Sequence, residues 1–169
     1  MITIRNRVFE TNSSSIHTLC IPKKRYVDYL PNKLTFGIER FGWGPSLHAY
    51  PSNLNYLNVF LNFLKTDKWY PGSIDRYTRY KEAVDKFLAD NEIEGEFIDQ
   101  PENYDERGYI DHESECDTIF DEIFDSQEMT ENFLLSPANF IICINDNQDL
   151  YDFLSDFRPD EKNFWILRK

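Results

Sequence analysis

Hydrophobic residues recur at helical spacing in two long stretches of the chain. After Ser52 they fall at intervals of three and four residues from Leu54 to Leu64, and a second such pattern runs from Ile74 to Leu88. Because about 3.6 residues make one helical turn, this spacing places each set on one face of a helix. The pattern therefore predicts two amphipathic helices.

Two more helices are predicted in the second half of the chain. From His112 to Asp125 the apolar residues form one helical stripe and the carboxylates the other. Asn145 or Asp146 is a residue type suited to cap a further short helix that ends near Phe157. The chain is thus expected to contain about four helices.

Strands are predicted at both ends of the chain. Alternation of apolar and polar residues, or an unbroken apolar run, indicates strands at 1–10, 16–21, 34–39, 140–144 and 163–167. The run 140–144 is typical of a central strand covered on both faces. We predict a single α+β domain over residues 1–169, with a mixed sheet formed from the N- and C-terminal strands and about four helices packed on it.

The negative charge is concentrated in one insertion-like segment, residues 90–131. It holds 17 Asp or Glu and the single base Arg107, a charge of -16, so the rest of the chain carries +4 of the total of -12. Such a field repels nucleic acid and anionic membranes and attracts basic protein surfaces. The alternative interpretation is a solvated face that only keeps the protein soluble.

The compartment is predicted from what the sequence lacks. The first residues resemble no secretory signal, and no run reaches the ~18 to 20 apolar residues of a membrane span. Three cysteines, Cys20, Cys116 and Cys143, are an odd number at unmatched spacings, which argues against a disulfide framework. We expect a cytoplasmic protein whose cysteines are thiols or metal ligands.

Histidine and cysteine spacing suggests a structural zinc site. His112 and Cys116 are four apart and would share a helical face, and His17 and Cys20 form a second close pair. In a regular strand His17 and Cys20 point to opposite faces, so the second pair requires a bend. His48 is then the natural substitute for Cys20.

Other interpretations of these residues stay open. Cys116 and Cys143 suit small apolar core positions, and the histidines suit ordinary polar ones. Carboxylates such as Glu10 or Glu113 are also suited to complete a metal site that has fewer sulfurs.

Motifs for catalysis are absent from the sequence. It has no phosphate-binding loop, dinucleotide fingerprint, nucleophile elbow, His-Glu-x-x-His pair or zinc-deaminase signature. Ser15 and His17 are two apart, which in a strand is poor geometry for proton transfer. We expect a protein that is not an enzyme. The alternative is a metal-dependent hydrolase or nuclease that uses carboxylates of the acidic segment.

One short motif resembles a known family. The stretch from Phe9 to Leu19, Phe-Glu-Thr-Asn-Ser-Ser-Ser-Ile-His-Thr-Leu, is similar to the N-terminal signature of small proteins encoded by phages and mobile elements of low-GC Gram-positive bacteria. It departs from the commoner form at Thr18, where Ser is frequent. The motif covers about a tenth of the chain, and the resemblance places the protein in the cytoplasm of a bacterial host during phage infection.

Some small acidic phage proteins of this kind resemble anti-CRISPR inhibitors of type II-A Cas9. The resemblance implies an inhibitor that blocks loading of target DNA, with a zinc site in which His17 is a ligand. The acidic segment would then mimic DNA on a basic groove of Cas9, without direct nucleic acid binding by the chain itself. The candidate contact residues are Tyr104, Tyr109, Asp111, Glu115, Asp117, Asp121, Glu122 and Asp125.

Overall fold

The computed structural model describes residues 15–24, 29–42, 45–67, 69–112, 115–145 and 159–168. Within these ranges the chain forms eight strands, four α-helices and a short 3-10 helix at Tyr104–Glu106. The strands are β1 Ser15–Pro22, β2 Lys33–Phe36, β3 Arg40–Phe41, β4 Ser46–Ala49, β5 Glu94–Phe97, β6 Tyr109–Ile110, β7 Phe140–Asn145 and β8 Phe164–Arg168. The helices are α1 Ser52–Thr66, α2 Ser73–Asp90, α3 Asp117–Asp125 and α4 Gln127–Leu135.

The α+β prediction is confirmed, and the strands form three separate ladders. The main sheet has the order β4-β7-β1-β8 and is antiparallel at each pairing. Parallel pairing occurs in the two small ladders, β2 with β5 and β3 with β6. Strands from both ends of the chain therefore lie side by side, as the sequence pattern predicted.

The two inner strands, β1 and β7, are buried along most of their length because both faces of the main sheet are covered. Leu19 and Ile21 of β1 belong to the large core cluster shared with the helices. Cys20 belongs to a second cluster on the opposite face, with Ile142 and Ile144 of β7. The alternation of side chains along β1 thus separates His17 and Leu19 from Cys20.

Helix α1 is the centre of the fold. Ten of its 15 residues are buried, and it contacts β2, β4, β6, β7, α2 and α4. Its interior position explains why Leu54 to Leu64 is so rich in large apolar residues. A helix buried on nearly all sides must also find partners for its polar side chains inside the protein.

The acidic segment 90–131 builds part of the core. It supplies β5, β6, α3 and the start of α4. Ile110, Ile119, Phe120 and Ile123 of this segment are at most 1% exposed. Its carboxylates therefore sit on the outer surface of packed elements.

The prediction of a helix beginning at His112 is wrong, because α3 begins at Asp117. Residues before it pair in the β3–β6 ladder, and His112 then turns the chain with a left-handed backbone, φ 54°. Helix α4 was not predicted. It begins after Ser126, whose side chain accepts a hydrogen bond from the Met129 backbone N–H, which is an N-cap signal readable in the sequence.

Several predicted elements lie outside the described residues. These are the strand 1–10, the short helix after Asn145, the two carboxylates Glu10 and Glu113, and most of the family-like motif. Of that motif, residues 15–19 are described, and they lie in β1.

Phe120→Ala tests the aromatic core between the helices. Phe120 is fully buried, and its ring centroid lies 5.0 Å from that of Phe60. Truncation leaves a cavity, so we expect the free energy of unfolding to fall by about 3–5 kcal/mol in urea titrations. Thr118→Ala on the exposed side of the same helix should change it by less than about 0.5 kcal/mol. Equal effects of the two changes would contradict this packing.

Candidate functional site

A buried row of polar side chains joins two of the residues predicted to bind zinc. His17 on β1 is fully buried, and its Nδ1 lies 3.0 Å from the Tyr56 hydroxyl of α1. The same hydroxyl lies 3.2 Å from Sγ of Cys116, at the start of α3. Cys143 is the partner of His17 across the β1–β7 ladder. The structure thus brings His17 and Cys116 together around a tyrosine that the spacing argument had not considered.

The remaining predicted zinc ligands lie elsewhere. Cys20 is on the opposite face of the sheet, and burial, opposed by the positive charge of Arg168, raises the pKa of its thiol to about 12. His112 lies in a turn with a half-exposed side chain. Cys20 therefore stays a neutral thiol, and the five residues proposed from spacing do not converge.

Within the described ranges, no group of three or more His, Cys, Asp or Glu side chains is placed to hold a metal ion. This applies to the Cys-His zinc set and to the carboxylates of the acidic segment. Zinc binding stays a prediction from spacing and resemblance.

His48 belongs to a different polar cluster, which we call the Glu39–His48–Ser46 row. His48 Nδ1 lies 2.7 Å from Glu39 Oε1, and its Nε2 lies 2.9 Å from the Ser46 hydroxyl. Ser46 and His48 are two apart on β4, so both side chains point to the same face of the sheet. Asn55 of α1 donates to the second oxygen of Glu39 at 3.0 Å. Three consecutive segments, within residues 39–55, thereby meet at one point.

The protonation of this row follows from the carboxylate. Burial raises the pKa of Glu39, but hydrogen bonds from His48, Asn55 and Ser52 outweigh that effect and hold the pKa below its ordinary value of 4.5. An ionised carboxylate only accepts hydrogen bonds, so His48 carries its proton on Nδ1. Nε2 of the neutral ring is then left to accept from the Ser46 hydroxyl.

Three of the carboxylates proposed for partner binding hold α3 against α2. Asp117 lies 3.2 Å from Arg76, while Asp121 and Asp125 each lie 2.6 Å from Arg79. The Tyr80 hydroxyl also donates to Asp121 at 2.7 Å. These acids are matched by cations of the same chain, so they offer a partner less charge than the sequence suggested.

The other residues proposed for partner binding differ in their surroundings. Glu115 and Glu122 are exposed, and no Lys or Arg among the described residues forms an ion pair with either. Asp111 instead accepts a hydrogen bond from the Tyr109 hydroxyl at 2.6 Å. Tyr104 begins the 3-10 helix, and its side chain lies outside the described residues.

Tyr109 lines a cleft of about 420 Å³ together with Arg40 and Arg107. Arg40 stacks 5.8 Å from the Tyr109 ring and donates to the Asp105 carbonyl, and Arg107 donates to two further backbone carbonyls. Arginine side chains make this cleft a positive spot within the acidic segment. Tyr109 is therefore poorly placed in an acidic contact face.

Sequence reasoning missed Trp69, the most exposed large hydrophobic residue that the structure describes, at 92%. It precedes Tyr70, whose hydroxyl donates to Asp117 of α3 at 2.9 Å. Ile74, on the first turn of α2, is 58% exposed. We group these two exposed apolar residues with the exposed Glu115 and Glu122 under the name Trp69 patch. The sequence did contain a signal for Trp69. It is a large apolar residue between two predicted helices, in a stretch with no predicted strand or helix that would bury it.

The comparisons with known proteins give no relative. No family model matches the sequence, and no curated protein or solved structure is significantly similar to it. No helix among the described residues is long and apolar enough to cross a membrane.

Tyr56→Phe tests the buried row around His17. The change removes only a hydroxyl that lies between His17 and Cys116, leaving two buried polar groups without that partner. We expect the free energy of unfolding to fall by about 1–3 kcal/mol, measured by urea titration. Tyr77→Phe is the matched control, because no hydrogen bond of its hydroxyl is found among the described residues. If Tyr56→Phe and Tyr77→Phe lowered the free energy of unfolding equally, the hydrogen bonds of the Tyr56 hydroxyl would be contradicted.

Glu39→Gln tests the ionised carboxylate of the other row. A lowered pKa means that the native state favours the charged form, so this stabilisation is present above the ordinary value of 4.5 and is lost as the pH falls through the lower native value. We expect the stability advantage of the wild type over Glu39→Gln to shrink between about pH 5.5 and 3. Urea titrations at several pH values measure it, and an advantage independent of pH would refute the assignment.

Proposed function

We propose that this protein acts by binding, and that its Trp69 patch docks on a basic, nucleic-acid-binding surface of another protein. The observation that carries the proposal is the 92% exposure of Trp69. It is supported by the exposed Glu115 and Glu122, which form no ion pair with a cation among the described residues. Type II-A Cas9 is the proposed partner, on the strength of the N-terminal resemblance.

The patch combines two features of protein interfaces. Tryptophan is enriched among the residues that contribute most binding energy, where it fills a pocket and loses its water. Carboxylates around it contribute mainly to the rate of encounter with a basic surface. In this protein Trp69 and Ile74 would supply the buried contact, and Glu115 and Glu122 the charge complementarity.

The ion pairs of α2 fix the shape of the patch. Arg76 and Arg79 hold Asp117, Asp121 and Asp125, so α3 is fixed against α2, the helix that follows Trp69 in the chain. A rigid surface loses little conformational entropy on binding. We therefore give these three aspartates a positioning role, while Glu115 and Glu122 face the partner.

Inhibition follows from competition for the same cations. Lys and Arg side chains that line a nucleic acid groove hold phosphates. If the carboxylates of the patch occupy them, target DNA cannot load until the inhibitor dissociates. Because the acidic surface repels phosphates, the protein would act without binding nucleic acid itself.

The test measures binding to a type II-A Cas9 loaded with guide RNA. Trp69→Ala should weaken binding at least tenfold, since a hot-spot residue contributes about 2 kcal/mol or more. The double change Glu115→Gln and Glu122→Gln should slow association and reduce its dependence on salt. Biolayer interferometry at several salt concentrations measures both effects.

A charge-matched control separates the patch from general acidity. Glu82→Gln with Glu161→Gln removes two exposed carboxylates outside the patch, neither with an ion pair in the described residues, and should leave binding unchanged. The proposal fails if the wild type does not bind, or if Trp69→Ala binds as tightly as the wild type. If the two double variants changed binding equally, Glu115 and Glu122 would contribute only through the overall negative charge of the protein.

A further inference from the structure

The Glu39–His48–Ser46 row has the atom order of a serine nucleophile with its base. Ser46 Oγ lies 2.9 Å from His48 Nε2, and the other ring nitrogen of His48 lies 2.7 Å from the Glu39 carboxylate. In hydrolases a hydroxyl, an imidazole and a carboxylate act through this sequence of contacts, in any chain order. The row was not foreseen, because Glu39 precedes β3 and a spacing of two residues in a strand, as for Ser15 and His17, predicts poor geometry for proton transfer. On β4 the same spacing nevertheless brings Ser46 Oγ within 2.9 Å of His48 Nε2.

Proton positions in the row favour transfer away from Ser46. The ionised Glu39 fixes the His48 proton on Nδ1, which leaves Nε2 as an acceptor facing the serine hydroxyl. The carboxylate is itself held by Asn55, and its charge stabilises the imidazolium that forms when His48 takes a proton. The row therefore meets the geometric requirement for nucleophile, base and orienting group.

The row also lies where a substrate can approach. β4 is an outer strand of the four-stranded sheet, and Ser46 is its first residue. Ser46 is half-buried, between the exposed Pro45 and the 55% exposed Leu47. The His48 side chain is 15% exposed and the Glu39 side chain 28%, so all three residues of the row are partly accessible to solvent.

We propose that Ser46 is an activated nucleophile for acyl transfer from carboxylic esters, with His48 as its base and Glu39 as a positioning residue. Ser46 Oγ attacks the ester carbonyl carbon while its proton passes to His48 Nε2. The alcohol then leaves with that proton, and the acyl group stays on Ser46. Water, deprotonated by His48, attacks the acyl-serine, releases the carboxylic acid and restores the hydroxyl. This activity is independent of the binding proposed for the Trp69 patch.

A fluorophosphonate probe tests the nucleophile directly on the full chain. Attack by Ser46 forms an Oγ–P bond and expels fluoride, and peptide mapping by mass spectrometry locates the adduct. We expect the adduct on Ser46, no labelling there in Ser46→Ala, and labelling of His48→Ala slower by about 100-fold or more. The wild-type map decides the question even if a variant does not fold.

The role of Glu39 needs a readout that loss of structure would not produce. Glu39→Gln keeps the size of the side chain but removes the charge that stabilises the imidazolium, so the labelling rate should fall by about tenfold or more. Glu39→Asp, which keeps the charge, should recover part of that rate. A labelling rate unchanged in Glu39→Gln would remove Glu39 from the row. The whole proposal is overturned if native wild-type protein is not labelled at Ser46, or is labelled there no faster than urea-denatured protein.

Discussion

The burial of α1 is the constraint on which the rest of this structure depends. A helix enclosed by strands and helices cannot turn its polar side chains to water, and each buried group left without a partner costs about 1–3 kcal/mol. Asn58 donates to the carbonyls of Phe36, Gly37 and Ile98, and Asn53 donates to that of Phe133. The loops and α4 are therefore positioned by the requirements of one helix.

Both polar rows are further results of the same constraint. Tyr56 reaches His17 and Cys116, and the preceding residue of the same helix, Asn55, reaches Glu39 and the Gly37 backbone. A Cβ at residue 37 would lie 2.8 Å from the Asn55 side-chain oxygen, so a larger residue there would displace the Asn55 side chain. The surface is organised by α2 in a similar way, since its two arginines bind Asp117, Asp121 and Asp125 of α3.

Periodicity predicted α1, α2, β1 and β7, because these elements are long and their apolar residues follow one spacing. It placed the start of α3 wrongly, since the two-residue β6 has no period of its own and its pairing with β3 depends on residues about 70 positions earlier. Ser126, a cap between two short helices, was readable but was overlooked.

The candidate sites were less predictable than the fold. Spacing rules compare only residues that are close in sequence. They grouped His17 with Cys20, although β1 places these two side chains on opposite faces of the main sheet. Tyr56 and Glu39 reach their histidines from other elements, so no local pattern contains them. Net charge located the acidic segment correctly, but whether an acid is paired depends on the arginines of α2, which only the packing of the helices reveals.

The central claim is that Glu39, which accepts hydrogen bonds from His48 and from Asn55 and Ser52 of α1, is ionised and fixes the proton of His48 on Nδ1. Long-range nitrogen–proton NMR correlation of the histidine rings at neutral pH measures this directly. The account predicts a protonated Nδ1 and a free Nε2 for His48 in the wild type, with that preference lost in Asn55→Ala with Glu39→Gln. A wild-type His48 protonated on Nε2 would contradict it, since Nε2 would then not accept from Ser46 and Nδ1 would not donate to Glu39.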